Sequence, residues 1–116
     1  MALARRGGNK YHAKKTTVNG ITFDSRKEAK RWLELKRMER TGAIKDLQRQ
    51  VRFELIPAFD VAGRHYRATI YVADFVYTDT VTGEEVVEDC KGYRTSVYRL
   101  KAKMFAHRYG VSICES

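Results

Sequence analysis

Histidine, cysteine and proline are all scarce in this chain, with three, two and one among 116 residues. His12, His65 and His107 lie at scattered spacings with no cysteine partners, which argues against a zinc site or a histidine-centred nuclease. Cys90 and Cys114 fit no metal-ligand spacing either; each falls at an apolar-like position of a predicted strand and reads as a small buried thiol. The one proline, Pro57, is expected at the end or edge of a strand, because it cannot donate to a ladder. No run reaches the roughly 18 apolar residues of a membrane span, and Met1 to Arg6 lacks the apolar core of a secretion signal. The expected compartment is the cytoplasm, with no membrane partner, and that setting disfavours a disulfide. No internal repeat or interdomain linker is visible, and no organic cofactor is expected.

Acidic residues are also in short supply. Fourteen stand against 23 Lys and Arg, giving a net charge of +9 and a pI near 9.8. A hydrophobic fraction of 43% is enough to fold, so the charge belongs to an ordered domain that expects a polyanion, nucleic acid first. The basic residues are clustered: residues 1–20 hold five and no acid, and residues 91–109 hold six and no acid.

Residues 1–20, rich in Gly, Lys, Asn and Thr, show no periodicity and read as a flexible basic arm ahead of a single domain over 21–116. Such an arm either tracks a phosphate backbone or is a tail without a task. Val18-Asn19-Gly20-Ile21 predicts a short hairpin or a lead-in to a helix. The helix is expected from Asp24-Ser25 to Thr41-Gly42, with an apolar stripe through Ala29, Trp32, Leu33, Leu35, Lys36 and Met38 that charges interrupt. Residues 43–50 read as a loosely packed connection, 51–59 as a strand, 60–63 as a turn, 65–77 as a long strand, 79–83 as a turn and 84–91 as a third strand. Gly92 breaks that strand. Thr95 or Ser96 then caps a second helix that buries Val97, Leu100, Met104 and Phe105 and ends at Gly110, before a short strand over 111–114. The expected class is α/β, a mixed α+β sheet flanked by helices.

Asp74 lies inside an apolar run, Y-V-A-D-F-V-Y, where a carboxylate without a partner is costly to bury. On the next strand, V-V-E-D-C-K, residues two apart share a face about 6.6 Å apart, so Asp89 and Lys91 point one way and Val86, Glu88 and Cys90 the other. If the strands pair through the turn near Thr82-Gly83, Asp74, Asp89 and Lys91 meet. Two carboxylates beside a lysine suit a hard divalent cation acting on a phosphodiester. An edge salt bridge between Asp89 and Lys91, with Asp74 bonded to loop amides, accounts for the same spacing. Ser25-x-x-Glu28 is likewise complete as a capping box.

The element order, with Asp74 and Asp89-Cys90-Lys91, resembles the PD-(D/E)-x-K nuclease superfamily and its restriction-endonuclease-like αβββαβ core. F-D-S-R-K-E-A, Y-V-A-D-F-V-Y and V-V-E-D-C-K-G-Y-R-T look most like small phage and prophage proteins grouped with Holliday-junction resolvases, over nearly everything from Tyr11 to Ile113. The resemblance implies a Mg²⁺-dependent endonuclease for branched DNA, with Mn²⁺ able to substitute, acting in the cytoplasm of a bacterial host. It assigns Glu28, Asp74 and Asp89 as metal ligands with the Cys90 backbone carbonyl, and Lys91 as the catalytic lysine. Ala73 departs from the nominal proline, and Asp89 stands where relatives often carry Glu. Glu88 is read as a surface or supporting residue. Lys10, Lys14, Lys15, Arg94, Lys101 and Lys103 are expected on flanking phosphates, and Tyr93 and Tyr98 in ordinary packing or stacked on an opened base. Symmetric cutting of a junction implies a homodimer. A nicking, flap or duplex-end nuclease, and a silent nucleic-acid-binding domain, are the alternatives.

Overall fold

The computed structural model describes residues 14–91 and 93–116. Lys10 and most of the expected arm lie outside that range, as does Gly92. The last part of the expected arm is instead a hairpin: β1 (Thr16–Val18) pairs antiparallel with β2 (Ile21–Phe23). Asn19 and Gly20 both take positive φ, 51° and 81°, as a two-residue turn between right-twisting strands requires. Helix α1 (Arg26–Thr41) then begins at Ser25, whose hydroxyl accepts the Glu28 N–H at 3.1 Å, and closes on the left-handed Gly42.

Strand β3 spans Ile44–Ile56, so the expected loose connection at 43–50 is in fact the first half of a 13-residue strand. Two non-glycine residues hide it from a period-two reading. Asp46 and Gln50 have φ of 56° and 55°, and each displaces the alternation of inward and outward side chains. The long strand expected from His65 is also divided. β4 (Phe59–Val61) and β5 (Arg64–Tyr66) make a separate, fully exposed hairpin, and β6 (Thr69–Asp79) starts only after it. The Asp79 turn leads to β7 (Glu85–Asp89), which ends two residues before Lys91. Helix α2 (Ser96–Tyr109) is capped by Thr95 and Gly110, and β8 (Cys114–Glu115) follows, further along than expected.

The main sheet has the order β3-β6-β7-β8, antiparallel except for the parallel β7–β8 pair. The two small hairpins aside, this is a mixed α+β fold in the expected αβββαβ order. One helix covers each face. Leu35 of α1 packs with Ile44, Phe75 and Tyr77, while Tyr98 and Phe105 of α2 pack with Leu55, Tyr71, Ala73, Val76 and Val87.

The buried stripe of α2 differs from the expected one. Val97 and Leu100 are 60% and 56% exposed, and Tyr98 goes inside instead, its hydroxyl donating to Glu115 of the exposed edge strand, 2.9 Å away. Both cysteines are free thiols; Cys90 is half-buried, but Cys114 is exposed on the short last strand, against expectation. No helix among the described residues is long and apolar enough to cross a membrane.

Candidate active site

The β6–β7 register pairs Phe75 with Glu88 and Val76 with Val87. Continued by one residue, it sets Asp74 opposite Asp89. Backbone pairing stops before that point, and the Cys90 N–H donates instead to Asp74 Oδ2 at 2.9 Å. On the other side of β6, Arg49 pairs with Phe75 and Val51 with Ala73, so Gln50 lies across from Asp74.

Both strands change face at this matched pair. In β3, Leu47 packs on the α1 side and Val51 on the α2 side; in β6, Ala73 and Val76 both reach the α2 side although they are three positions apart. A strand that alternates strictly cannot do this. The slip lets Asp74 approach Glu28 of α1 and Asp89 on the α2 side at once. The Gln50 amide donates to Glu28 Oε2 at 3.2 Å and, over a longer 3.4 Å, to Asp74 Oδ1.

Glu28 is 3% exposed and bonds at the helix start while it reaches Gln50: its Oε1 accepts the Asp24 N–H at 3.3 Å. Burial, reinforced by the charge of Asp74, pushes its pKa up to about 7 against the opposing Asp24 hydrogen bond and the Arg49 charge. Asp89 is 1% exposed, and burial together with proton sharing and repulsion from Asp74 also raises it to about 7. Two groups resist that shift. The Tyr71 hydroxyl donates to Asp89 Oδ2 at 2.5 Å, and Lys91 Nζ stands 3.4 Å from Oδ1. Asp89 Oδ1, although ion-paired with Lys91, is a buried acceptor that makes no hydrogen bond. Lys91 also lies over the Tyr98 ring, 4.5 Å from its centroid.

The expected residues therefore divide. Asp74, Asp89 and Lys91 meet at one place, Glu28 borders it through Gln50, and Cys90 contributes its amide. Among the described residues, no three of His, Cys, Asp and Glu are gathered closely enough to form a ready cation cage. The donors are nevertheless all oxygen, the type a hard divalent ion takes with water completing its shell.

Glu88 corrects the surface reading: it is wholly buried on the other face, bonded by Arg31 at 2.6 and 3.1 Å and by the Tyr77 hydroxyl at 2.7 Å. Arg94 is bonded to Glu115, at 2.7 Å from its Nε. Lys15 pairs with Asp24 at 3.1 Å, which places it beside the Glu28 end of the site. Lys103 lines an open groove with Leu55, Met104 and His107, several residues along β3 from Gln50.

Sequence reasoning missed Gln50, Tyr71 and Lys27. Tyr71 was legible only as an apolar strand residue, and Gln50 sat in a segment read as a connection. Lys27 carried no signal beyond its charge, but its ammonium donates to the Lys91 carbonyl at 3.3 Å, and with Lys30 it lines a cleft beside Cys90.

No curated protein and no solved structure matches the chain. Residues 8–113 match the family model described as "Protein of unknown function (DUF1064)", and the chain belongs to that family.

Proposed function

We propose that this domain is a metal-dependent endodeoxyribonuclease of the PD-(D/E)-x-K kind that cuts branched DNA in the manner of a Holliday-junction resolvase. The observation that carries the reading is the meeting of Asp74 and Asp89 with Lys91 in a chain of net charge +9. Buried carboxyls repelled by a neighbouring acid, as Glu28 and Asp89 are by Asp74, detract from folding and call for a cationic partner.

The residues fit Mg²⁺, or Mn²⁺ in its place. Asp89 Oδ1 is a buried acceptor with no hydrogen bond, and each oxygen of Asp74 and Glu28 keeps a lone pair beyond the one bond described for it. Asp74, Asp89 and Glu28 would hold the ion, with the Cys90 carbonyl as a further oxygen. When bound, such an ion lowers the pKa of a coordinated water and offsets charge on the scissile phosphate.

The chain's own groups prepare the site. Tyr71 and the Cys90 N–H fix the two aspartates by hydrogen bonds. Lys91, held between Asp89 and the face of Tyr98, supplies an ammonium to steady charge on the phosphate and orient the attacking water. Lys14, Lys15, Lys27, Lys30, Lys101 and Lys103 bind flanking phosphates, and their affinity falls steeply with salt. Arg94 joins them only by exchanging Glu115 for a phosphate. A junction cut symmetrically needs two copies of this site, hence a homodimer.

The test incubates four-way, three-way, flapped and linear DNA with Mg²⁺ or EDTA, using wild type and Asp74→Asn. The expected result is Mg²⁺-dependent cleavage, strongest on branched DNA and absent in the variant, which still binds. Binding of every substrate with no metal-dependent cleavage of any would replace the enzyme with a binding domain; equal cleavage of all substrates would remove the resolvase part.

A further inference from the structure

Gln50 combines features seen at no other described position. Its φ of 55° is one that L side chains rarely adopt, it sits where β3 changes face, and its amide touches the carboxylates of both Glu28 and Asp74. A strand built only for stability has no use for a left-handed residue next to a paired, regular ladder. Here the left-handed turn brings the side chain of Gln50 to the two acids.

We infer that Gln50 is a positioning residue, which holds Glu28 and Asp74 as a pair so that their remaining lone pairs converge on one divalent cation. The inference rests on the nuclease reading and adds to it a member from a different strand. The chemistry of a carboxamide suits the task. It is neutral, so it adds nothing to the repulsion between the two acids, and its N–H₂ group has two donors for two acceptors. A carboxylate at this position would add to the repulsion, and an ammonium would compete with the cation. Glu28 then has two fixed points, the Asp24 N–H on Oε1 and Gln50 on Oε2, and Asp74 has two, Gln50 on Oδ1 and the Cys90 N–H on Oδ2. Each carboxylate is oriented at both oxygens, as supporting partners of metal ligands commonly arrange.

Gly is the informative substitution, since it accepts positive φ without strain and keeps the path of β3 while removing the amide. Titration calorimetry with Mg²⁺ alone, thermal melting and junction cleavage over a range of Mg²⁺ would be measured for wild type, Gln50→Gly and Gln50→Ala. For Gln50→Gly the expected result is a melting temperature no lower than wild type, Mg²⁺ affinity weaker by about 10–100-fold, and cleavage largely recovered at raised Mg²⁺. Gln50→Ala should weaken Mg²⁺ binding equally but melt lower, since it retains the strained backbone. If wild type binds Mg²⁺ and cleaves while Gln50→Gly does both within twofold of it, the positioning role is wrong and the nuclease reading stands. A Gln50→Gly protein that melts well below wild type and is not rescued by Mg²⁺ makes the residue structural, which also overturns the inference. Failure of folded wild type to bind the ion or cleave DNA removes the nuclease reading and this inference together.

Discussion

Glu88 and Asp89 are adjacent in sequence, equally buried and turned to opposite faces of one strand, yet their surroundings are reversed. Burial alone would raise the pKa of Glu88, but the Arg31 guanidinium and the Tyr77 hydroxyl overturn it, and the group lies below the ordinary carboxylate range. Asp89 faces another acid, keeps one oxygen without a hydrogen bond and is pushed up to about 7. The first acid is matched by its own fold. The second has Lys91 at 3.4 Å but also the charge of Asp74 beside it, and the net effect is a raised pKa; that contrast separates a structural carboxylate from a candidate ligand.

The sharpest way to test the contrast is at Asp74. Asp74→Asn should lower cleavage by about 10³-fold or more, while the metal-free protein gains about 1 kcal/mol in chemical denaturation because the repulsion on Asp89 is relieved. A loss of stability instead would mean that Asp74 is there for the fold. The opposite face should behave in the opposite way. Arg31→Met leaves Glu88 buried without its cation and is expected to cost about 3–5 kcal/mol, with Mg²⁺ affinity unchanged by calorimetry.

The pH dependence distinguishes the two faces next. Glu28 and Asp89 have folded pKa values of about 7, above their ordinary 4.5 and 3.8, so the folded state binds more protons than the unfolded one between those limits. Their contribution to stability is complete below about pH 4 and is lost as pH rises through 7. Melting of the metal-free protein should therefore show this loss, and Mg²⁺ should raise the melting temperature more at about pH 8 than at about pH 5, since binding stabilises only the state that binds. Equal shifts at both values would count against these carboxyls as ligands. The smallest effect is expected at the helix start. Ser25→Ala should cost about 1 kcal/mol and weaken Mg²⁺ binding slightly, because it loosens the turn that holds Glu28, but it should leave the Arg31–Glu88 pair intact.

Much of the frame was legible from residue types. Ser25 and Gly42 mark the ends of α1, Thr95 and Gly110 those of α2, and alternation alone put Glu88 and Asp89 on different faces. What was hidden has identifiable causes. Asp46 and Gln50 break the period of β3 by taking left-handed backbone angles that are uncommon for either residue, so half the strand looked like a connection. Phe59 and Tyr66 read as members of long strands, whereas their rings stack on one another, 4.9 Å apart, in a hairpin of their own. Val97 and Leu100 lost the interior of α2 to Tyr98, whose hydroxyl partner Glu115 lies 17 residues away.

Local chemistry in the chain was enough to determine the helices, their caps, the order of the core elements and the opposite sides of β7 on which Glu88 and Asp89 fall, because those depend on neighbours within a few residues. Only the tertiary structure decided that Arg31 would neutralise Glu88, that Gln50 would join Glu28 to Asp74, and that Asp89 would keep an oxygen without a hydrogen bond. These outcomes depend on contacts between residues 18 to 57 apart, on the register of β3 against β6, and on a change of face that two strands make at the same pair. Charge balance inside a protein is a property of the place where distant segments meet, and no single segment carries it.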